Sequence, residues 1–262
     1  MRRVLAAATV LLAVACRVPE AAAVEPYIQI ETGIMSRDVV EEGSSIEGFT
    51  VGGRATSTRL IATVGLNVNG VLTVYAQGGA ADLAIDEFNG FDTSFNGAYG
   101  GGARLNLSLS PHRDGLRLFV EGSVLRTTAE DTVQAEFGCT AANGCAAGAP
   151  RAQNDFLPRL VVESIVWIEY TVLLGACGRY GVFGPYGGVR LSKVDAKDRI
   201  RAAPDANFAT EFRVDADLRE QDNFGIFFGT DFFLDRSGKT ALNVEVSLFD
   251  QDSFRAAVRR AF

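Results

Sequence analysis

The sequence predicts an all-β chain that closes as an antiparallel up-and-down barrel of ten strands, with eight and twelve as the alternative counts. Three observations carry this. Apolar and polar residues alternate with a period of two through successive stretches, the pattern of a strand with one apolar and one polar face. Glycine is plentiful, at 28 of 262 residues, and proline scarce at 7, while the 47% apolar content forms no single long block beyond the N-terminus. That balance suits many short strands better than a helical bundle. Finally, the connections alternate in length, short near residues 69, 112, 183 and 237 and longer near 40, 89, 142 and 208, with a brief one at Asp250 to Ser253. A chain of this length has room for two domains, but barrels of this size form one unit.

The N-terminus has the form of an export signal: Arg2 and Arg3, the apolar run Val4 to Val14, then Ala21 to Ala23 before Val24. The apolar core is too short to span a bilayer as a helix. Residues 1–23 are therefore read as a cleaved signal peptide and 24–262 as the barrel domain. Ala13-Val14-Ala15-Cys16 loosely resembles a lipoprotein cleavage box, with Ala13 where leucine is usual, so an acylated Cys16 is the alternative start. Removing the signal takes away three arginines and one glutamate, and the formal charge falls from −7 to −9. An acidic mature chain does not suit a nucleic-acid partner.

In the first stretch, Ile28, Ile30 and Ile34 oppose Gln29, Glu31 and Gly33, and the acidic run Ser36 to Ser45 reads as a solvated loop. Alternation returns near Thr58, with Leu60, Ala62, Val64 and Leu66 opposite Arg59, Ile61 and Thr63, and turns at Asn69-Gly70, a favoured two-residue hairpin. Leu72, Val74 and Ala76 then face away from Thr73, Tyr75 and Gln77, before a connection from Asp82 to Asn96. Tyr99 to Leu109 and Leu116 to Leu125 are two further strands around the compact turn Ser110 to Gly115. From Thr128 to Leu157 the chain reads as irregular. The run Leu160 to Ala176 is apolar enough to raise a membrane helix, but Glu163, Glu169 and its density of β-branched residues favour a strand. Pro185 to Ser192, Phe224 to Leu234 and Leu242 to Leu248 continue the pattern, with a polar connection from Ala196 to Glu220.

The chain end is more specific. Phe254, Ala256 and Val258 are spaced by two and lead to a terminal Phe262, with Arg260 where an apolar residue is more usual. This resembles the C-terminal signal of Gram-negative outer-membrane β-barrels. The resemblance covers general architecture over Val24 to Phe262 and identifies no subfamily. It implies a closed antiparallel transmembrane β-barrel in the outer membrane, folded by the barrel-assembly machinery and in contact with outer-membrane lipid and lipopolysaccharide. The short-turn, long-loop asymmetry fits that class, with short turns on the periplasmic side. A spanning strand must pair every backbone group, which only a closed barrel does without helices.

One strand face is nearly free of charge. The other collects Glu31, Arg59, Arg104, Arg117, Glu121, Glu163, Glu169, Arg190, Asp231 and Glu245, which a membrane barrel would turn into its lumen. Both signs of charge in a narrow barrel favour an ion-paired plug over an ion-selecting channel. Sequence alone leaves the direction of the faces open, and a soluble barrel would reverse it.

Catalytic chemistry is sparse. Enzymatic barrels such as outer-membrane proteases, lipid A deacylases and lipid A palmitoyltransferases use histidine with serine or acidic partners, whereas this chain has one histidine, His112, in a short turn. Acidic pairs such as Glu41-Glu42 and Glu130-Asp131 fall in expected loops, and Asp250-Gln251-Asp252 lacks the remainder of a calcium loop. Gly100-Gly101-Gly102 lies within a strand and has no phosphate-loop lysine. Cys139 and Cys145 are spaced as a disulfide closing a short loop in an oxidising compartment, with no nearby histidine or third cysteine to suggest a metal, and Cys177 is left as an unpaired thiol. The reading is a barrel without catalytic residues, cofactor or metal, in a structural or surface role. A narrow channel or carrier for small solutes or hydrophobic compounds, as in small barrels resembling the OmpW type, is one alternative, and a soluble periplasmic ligand-binding barrel the other.

Overall fold

A computed structural model of the chain describes residues 23–44, 52–86, 91–109, 115–133, 160–203 and 212–262. The segment read as a signal, with Cys16, and also Cys139, Cys145 and His112 lie outside the described residues. The strands in chain order are β1 (Val24–Ser44), β2 (Gly52–Val68), β3 (Leu72–Ala81), β4 (Ala84–Ile85), β5 (Phe91–Asp92), β6 (Asn96–Ser108) and β7 (Arg117–Val133). They continue as β8 (Leu160–Cys177), β9 (Phe183–Ala203), β10 (Phe212–Glu220), β11 (Phe224–Phe233), β12 (Thr240–Leu248) and β13 (Asp252–Ala261). The run Leu160 to Ala176 is thus a strand, as its β-branched residues require.

Ten of these strands form a closed antiparallel ring in the order β1, β2, β3, β6, β7, β8, β9, β11, β12, β13. The last ladder, Tyr27 opposite Ala261 through Ser36 opposite Asp252, seals β13 onto β1. Closure matters physically because it leaves no strand edge with unpaired N–H and C=O groups. The Asn69-Gly70 turn has both residues at positive φ, 54° and 70°, as a two-residue hairpin of this kind needs.

The apolar faces point outward. Ile30, Ile34, Leu60, Val64, Val172, Phe228, Phe254 and Val258 are all among the exposed large apolar side chains. On β2 this face runs from Leu60 to Val68, on β9 from Phe183 to Leu191 and on β13 from Phe254 to Phe262. That is close to the roughly 9–11 residues a tilted strand needs to cross the hydrocarbon core. Exposed Tyr99, Tyr170, Phe224 and Phe249 stand at its outer end, and exposed Tyr180, Phe183 and Phe262 at the end where the short turns lie. Two aromatic girdles flanking an apolar band are the surface of a transmembrane barrel. The outward apolar belt removes the soluble-barrel alternative.

Three segments expected as loops, and the stretch before Thr58 that the alternation left undelimited, are wholly or partly strand. The run from Ser36 continues β1 to Ser44, the stretch before Thr58 belongs to β2 from Gly52, Thr128 to Val133 belong to β7, and Ala196 to Ala203 and Phe212 to Glu220 are β9 and β10. Part of the Asp82 to Asn96 connection also forms the small β4–β5 pair, which docks on β2. The cause is geometric. Strands β1, β2, β7, β8 and β9 run on past the outer girdle, whereas β12 and β13 turn back at it. Above their turn β10 bridges the gap, pairing with β9 on one side and with the end of β1 on the other. At the step between β10 and β11 the ladder is completed by a side chain, the Val194 N–H donating to Glu220 Oε2 at 2.6 Å.

Beyond the girdle the polarity of the wall reverses. Lys193, Asp195, Lys197 and Arg199 now point outward along β9, while Val194 and Ala196 are buried inside. They join Met35, Val39, Ala55, Leu83, Ile85, Phe91, Ala129, Ile165, Trp167 and Leu218 in an apolar cluster that fills the outer end of the barrel. A wall facing water on its outside and closed on its inside is built like a soluble β-barrel, so apolar burial drives it.

Candidate functional site: the filled lumen

The interior is built in three layers, beginning with the apolar cluster at the outer end. Directly beneath it, Glu169 of β8 takes two guanidinium groups at once, Arg59 Nη2 donating to Oε2 at 2.8 Å and Arg190 Nη2 to Oε1 at 2.6 Å. Asp250, in the turn between β12 and β13, reaches into the lumen and pairs with Arg190 at 3.1 Å and Arg37 at 3.6 Å, and accepts a hydrogen bond from the Ser192 hydroxyl at 2.8 Å. Arg37 also donates to Gln251 Oε1 at 2.7 Å and to Ser192 Oγ at 3.1 Å. The side chains of Arg37 and Asp250 are both 0% exposed, so this pair is shielded from solvent, while Arg59 in the same layer lines the cavity below it.

Toward the end where the short turns lie is the third layer. Arg255 bridges Glu245 at 2.8 Å and Glu31 at 3.5 Å. The Tyr75 hydroxyl donates to Glu121 at 2.6 Å and the Tyr186 hydroxyl to Glu245 at 2.9 Å. Arg104 sits 3.8 Å from Glu121 with its guanidinium 3.7 Å above the Phe119 ring, and Phe119 meets Phe227 across the lumen at 6.0 Å. Asp231 accepts from Asn243 at 2.9 Å and pairs with Arg259 at 3.6 Å. Glycine makes room for the tyrosines: a Cβ on Gly229 would come within 2.5 Å of the Tyr186 ring, and one on Gly102 within 2.5 Å of the Tyr75 hydroxyl.

Between the ionic layers remains a cavity of about 130 Å³, lined among others by Glu31, Arg59, Tyr75, Glu121, Glu169 and Arg255. The charges around it balance: Arg37, Arg59, Arg104, Arg190 and Arg255 meet Glu31, Glu121, Glu169, Glu245 and Asp250. Within this network of described residues neither sign is in surplus, so the cavity wall gives no electrostatic preference for a cation or an anion. Buried carboxylates and guanidiniums in such a network are held by each other, because removing one partner leaves a desolvated charge.

The lumen candidates from the sequence fall as follows. Glu169 and Arg190 are in the middle layer with Arg59, while Glu31, Arg104, Glu121, Asp231 and Glu245 are in the layer toward the short turns. Glu163 is buried beyond Trp167 on β8, and Arg117 lies at the short-turn end opposite Cys177. Tyr75 and Tyr186 stand on the polar strand face in the sequence without being singled out as lumen residues, and Arg37, Asp250 and Arg255 were missed. Arg37 stands in a run that looks like an acidic loop, and Asp250 in a turn, so neither shows a strand pattern. Arg255 alternates with Phe254 and Ala256 and was legible as lumen-facing. Of the residues resembling an assembly signal, Phe254, Val258 and Phe262 are exposed on the outer wall, Ala256 is half-buried beside them, and Arg260 is exposed among them. Among the described residues no group of three or more His, Cys, Asp or Glu is placed to hold a metal ion.

Ring closure, inverted polarity and paired aromatic girdles define the protein as a transmembrane up-and-down β-barrel of the outer-membrane class. Solved structures it is similar to include the outer membrane protease OmpT of Escherichia coli, at 10% identity over 94% of this chain and 98% of that one, with a TM-score of 0.49. The translocator domain of the autotransporter NalP of Neisseria meningitidis aligns at 12% identity over 99% and 96% of the two chains, with a TM-score of 0.45. The Pseudomonas putida toluene transporter TodX aligns at 9% identity over 93% and 89%, with a TM-score of 0.33. No family model and no curated protein matches the sequence.

Proposed function

We propose that the protein is a non-enzymatic barrel of the Gram-negative outer membrane whose lumen is a structural plug, and that its outer extension is a rigid surface element. The observation that carries this reading is the contact of Arg37 with Asp250, both at 0% exposure, beneath an apolar cluster that closes the outer end. A barrel sealed by ion pairs and then by packed side chains offers no aqueous path. The extension projects charged strands of both signs from the cell surface, with Arg199 paired to Asp215 across β9 and β10 at 3.5 Å, and Arg54 to Asp38 across β1 and β2 at 3.3 Å. In this reading the chain is exported by a signal removed before Val24, is folded by the barrel-assembly machinery through the Phe254 to Phe262 strand, and contacts lipopolysaccharide at its outer girdle.

Planar-bilayer recording of purified, heat-modifiable protein tests the reading: no stepwise conductance is expected, and regular single-channel steps from the wild-type protein would overturn it. The cavity near Glu31 and Glu121 favours the second reading, a narrow carrier for a small polar solute. Saturable uptake of such a solute into vesicles containing the protein would favour that alternative. N-terminal mass determination distinguishes a chain beginning at Val24 from one acylated at Cys16.

A further inference from the structure

Surface cations of the barrel are paired at some places and not at others, and at the outer end Lys193 and Lys197 have no carboxylate within salt-bridge distance among the described residues. At the outer end Arg54 and Arg199 have carboxylate partners across their ladders. At the periplasmic end Arg179, Arg236, Lys239 and Arg260 have none within salt-bridge distance among the described residues. The one carboxylate in their turn, Asp235, is engaged otherwise, accepting from Ser237 Oγ at 2.8 Å and from the backbone N–H groups of Lys239 and Thr240 at 2.9 and 2.8 Å.

These cations share one sector of the rim. Arg179 follows β8, and its guanidinium lies 4.2 Å over the Phe233 ring and close against Gly238, in the turn that carries Arg236 and Lys239. The Lys239 carbonyl accepts from the Ala261 N–H at 2.8 Å, and Arg260 is the ladder partner of Thr240. Arg236, Lys239 and Arg260 are exposed. Around them the wall is apolar, with Tyr180, Phe183, Leu234 and Phe262 exposed at 50% to 68%.

We propose that this sector is a binding surface for the phosphate groups of anionic phospholipid in the periplasmic leaflet. A cationic cluster standing at the aromatic girdle, on a chain whose net charge is −7, is complementary to phosphate at headgroup depth, with acyl chains against the adjacent apolar wall. The placement also explains Arg260. It faces lipid between Val258 and Phe262, where an apolar residue would serve assembly equally well, but it stands at the end of the strand, where a long side chain reaches the headgroups.

Native mass spectrometry of the protein, exchanged from detergent containing equal amounts of phosphatidylglycerol and phosphatidylethanolamine, tests the proposal. Preferential retention of phosphatidylglycerol is expected, falling about fivefold for each charge removed in Arg236→Gln and Lys239→Gln and weakening with added salt. Arg260→Gln is read separately, because it lies in the assembly strand, and only on protein that retains heat-modifiable mobility. Equal retention of both lipids, or retention unchanged in the double variant, would overturn the proposal. So would co-sedimentation with peptidoglycan sacculi that the double variant abolishes while lipid retention is unaffected.

Discussion

Two lengths of the same strands obey opposite rules. From Phe183 to Leu191, β9 turns apolar side chains out and Arg190 in; from Lys193 to Arg199 it turns charges out and Val194 and Ala196 in. β1 makes the same change, with Ile28, Ile30 and Ile34 outside and then Met35 and Val39 inside. Backbone and pairing continue through the switch, so what changes is the solvent on the outer wall. Where lipid is outside, apolar groups gain nothing from turning inward and the lumen is left to polar residues that satisfy each other. Where water is outside, burial again drives apolar groups to the axis. The plane of this switch marks the outer edge of the bilayer.

Substitutions at matched inward positions on either side of that plane sharpen the contrast. The largest loss is expected from Asp250→Ala, which leaves Arg37 and Arg190 desolvated without their shared partner; breaking such a buried pair costs about 3–5 kcal/mol, read from the denaturant midpoint of protein refolded in lipid vesicles. Trp167→Ala, in the outer layer, is expected to cost a comparable ~3–5 kcal/mol through a cavity. The distinguishing control is replacement by the wrong polarity: Ile165→Asp should destabilise severely, whereas Thr171→Val, facing the ionic layer, should lose much less. On the outer wall, Val64→Arg is expected to cost about 2–4 kcal/mol at membrane depth, while Lys197→Gln on the extension should stay within about 0.5 kcal/mol. Equal effects for these two would mean that the outward face has one solvent along its whole length.

The smallest effect concerns Asp235. Hydrogen bonds from Thr240, Ser237 and the Lys239 backbone hold its carboxyl well below the usual carboxylate range. A depressed folded-state pKa contributes stability that is present above the ordinary carboxylate value and is lost as pH falls through the folded one. Asp235→Asn should therefore reduce stability slightly at neutral pH and converge with the wild type in acid. A difference that grows as pH falls would show that the turn does not hold the carboxylate form.

The membrane-spanning half was legible in the sequence because lipid imposes a strict alternation on the outward face. Ile28 to Ile34, Leu60 to Val68 and the terminal Phe254 to Phe262 all carry it, and the ten strands of the ring follow from counting such runs. The outer extension was not, because its apolar residues change parity. In β9 they sit at odd positions up to Leu191 and at even ones from Val194, which breaks period-two reading at the switch, and Lys193, Asp195 and Lys197 then resemble a solvated loop. Arg37 and Asp250 were hidden for the same reason. Their partners lie 213 positions apart in sequence and meet only because β13 closes onto β1.

Accessibility of spin labels placed one at a time on the outward positions of β9, from Val189 through Arg199, in a chain lacking its native cysteines and reconstituted in vesicles, tests the polarity switch most directly. Labels at 189 and 191 should collide with oxygen dissolved in lipid, and those at 193, 195, 197 and 199 with a water-soluble nickel complex, with the crossover between Leu191 and Lys193. A single environment along the whole series, or a crossover displaced beyond Arg199, would contradict it.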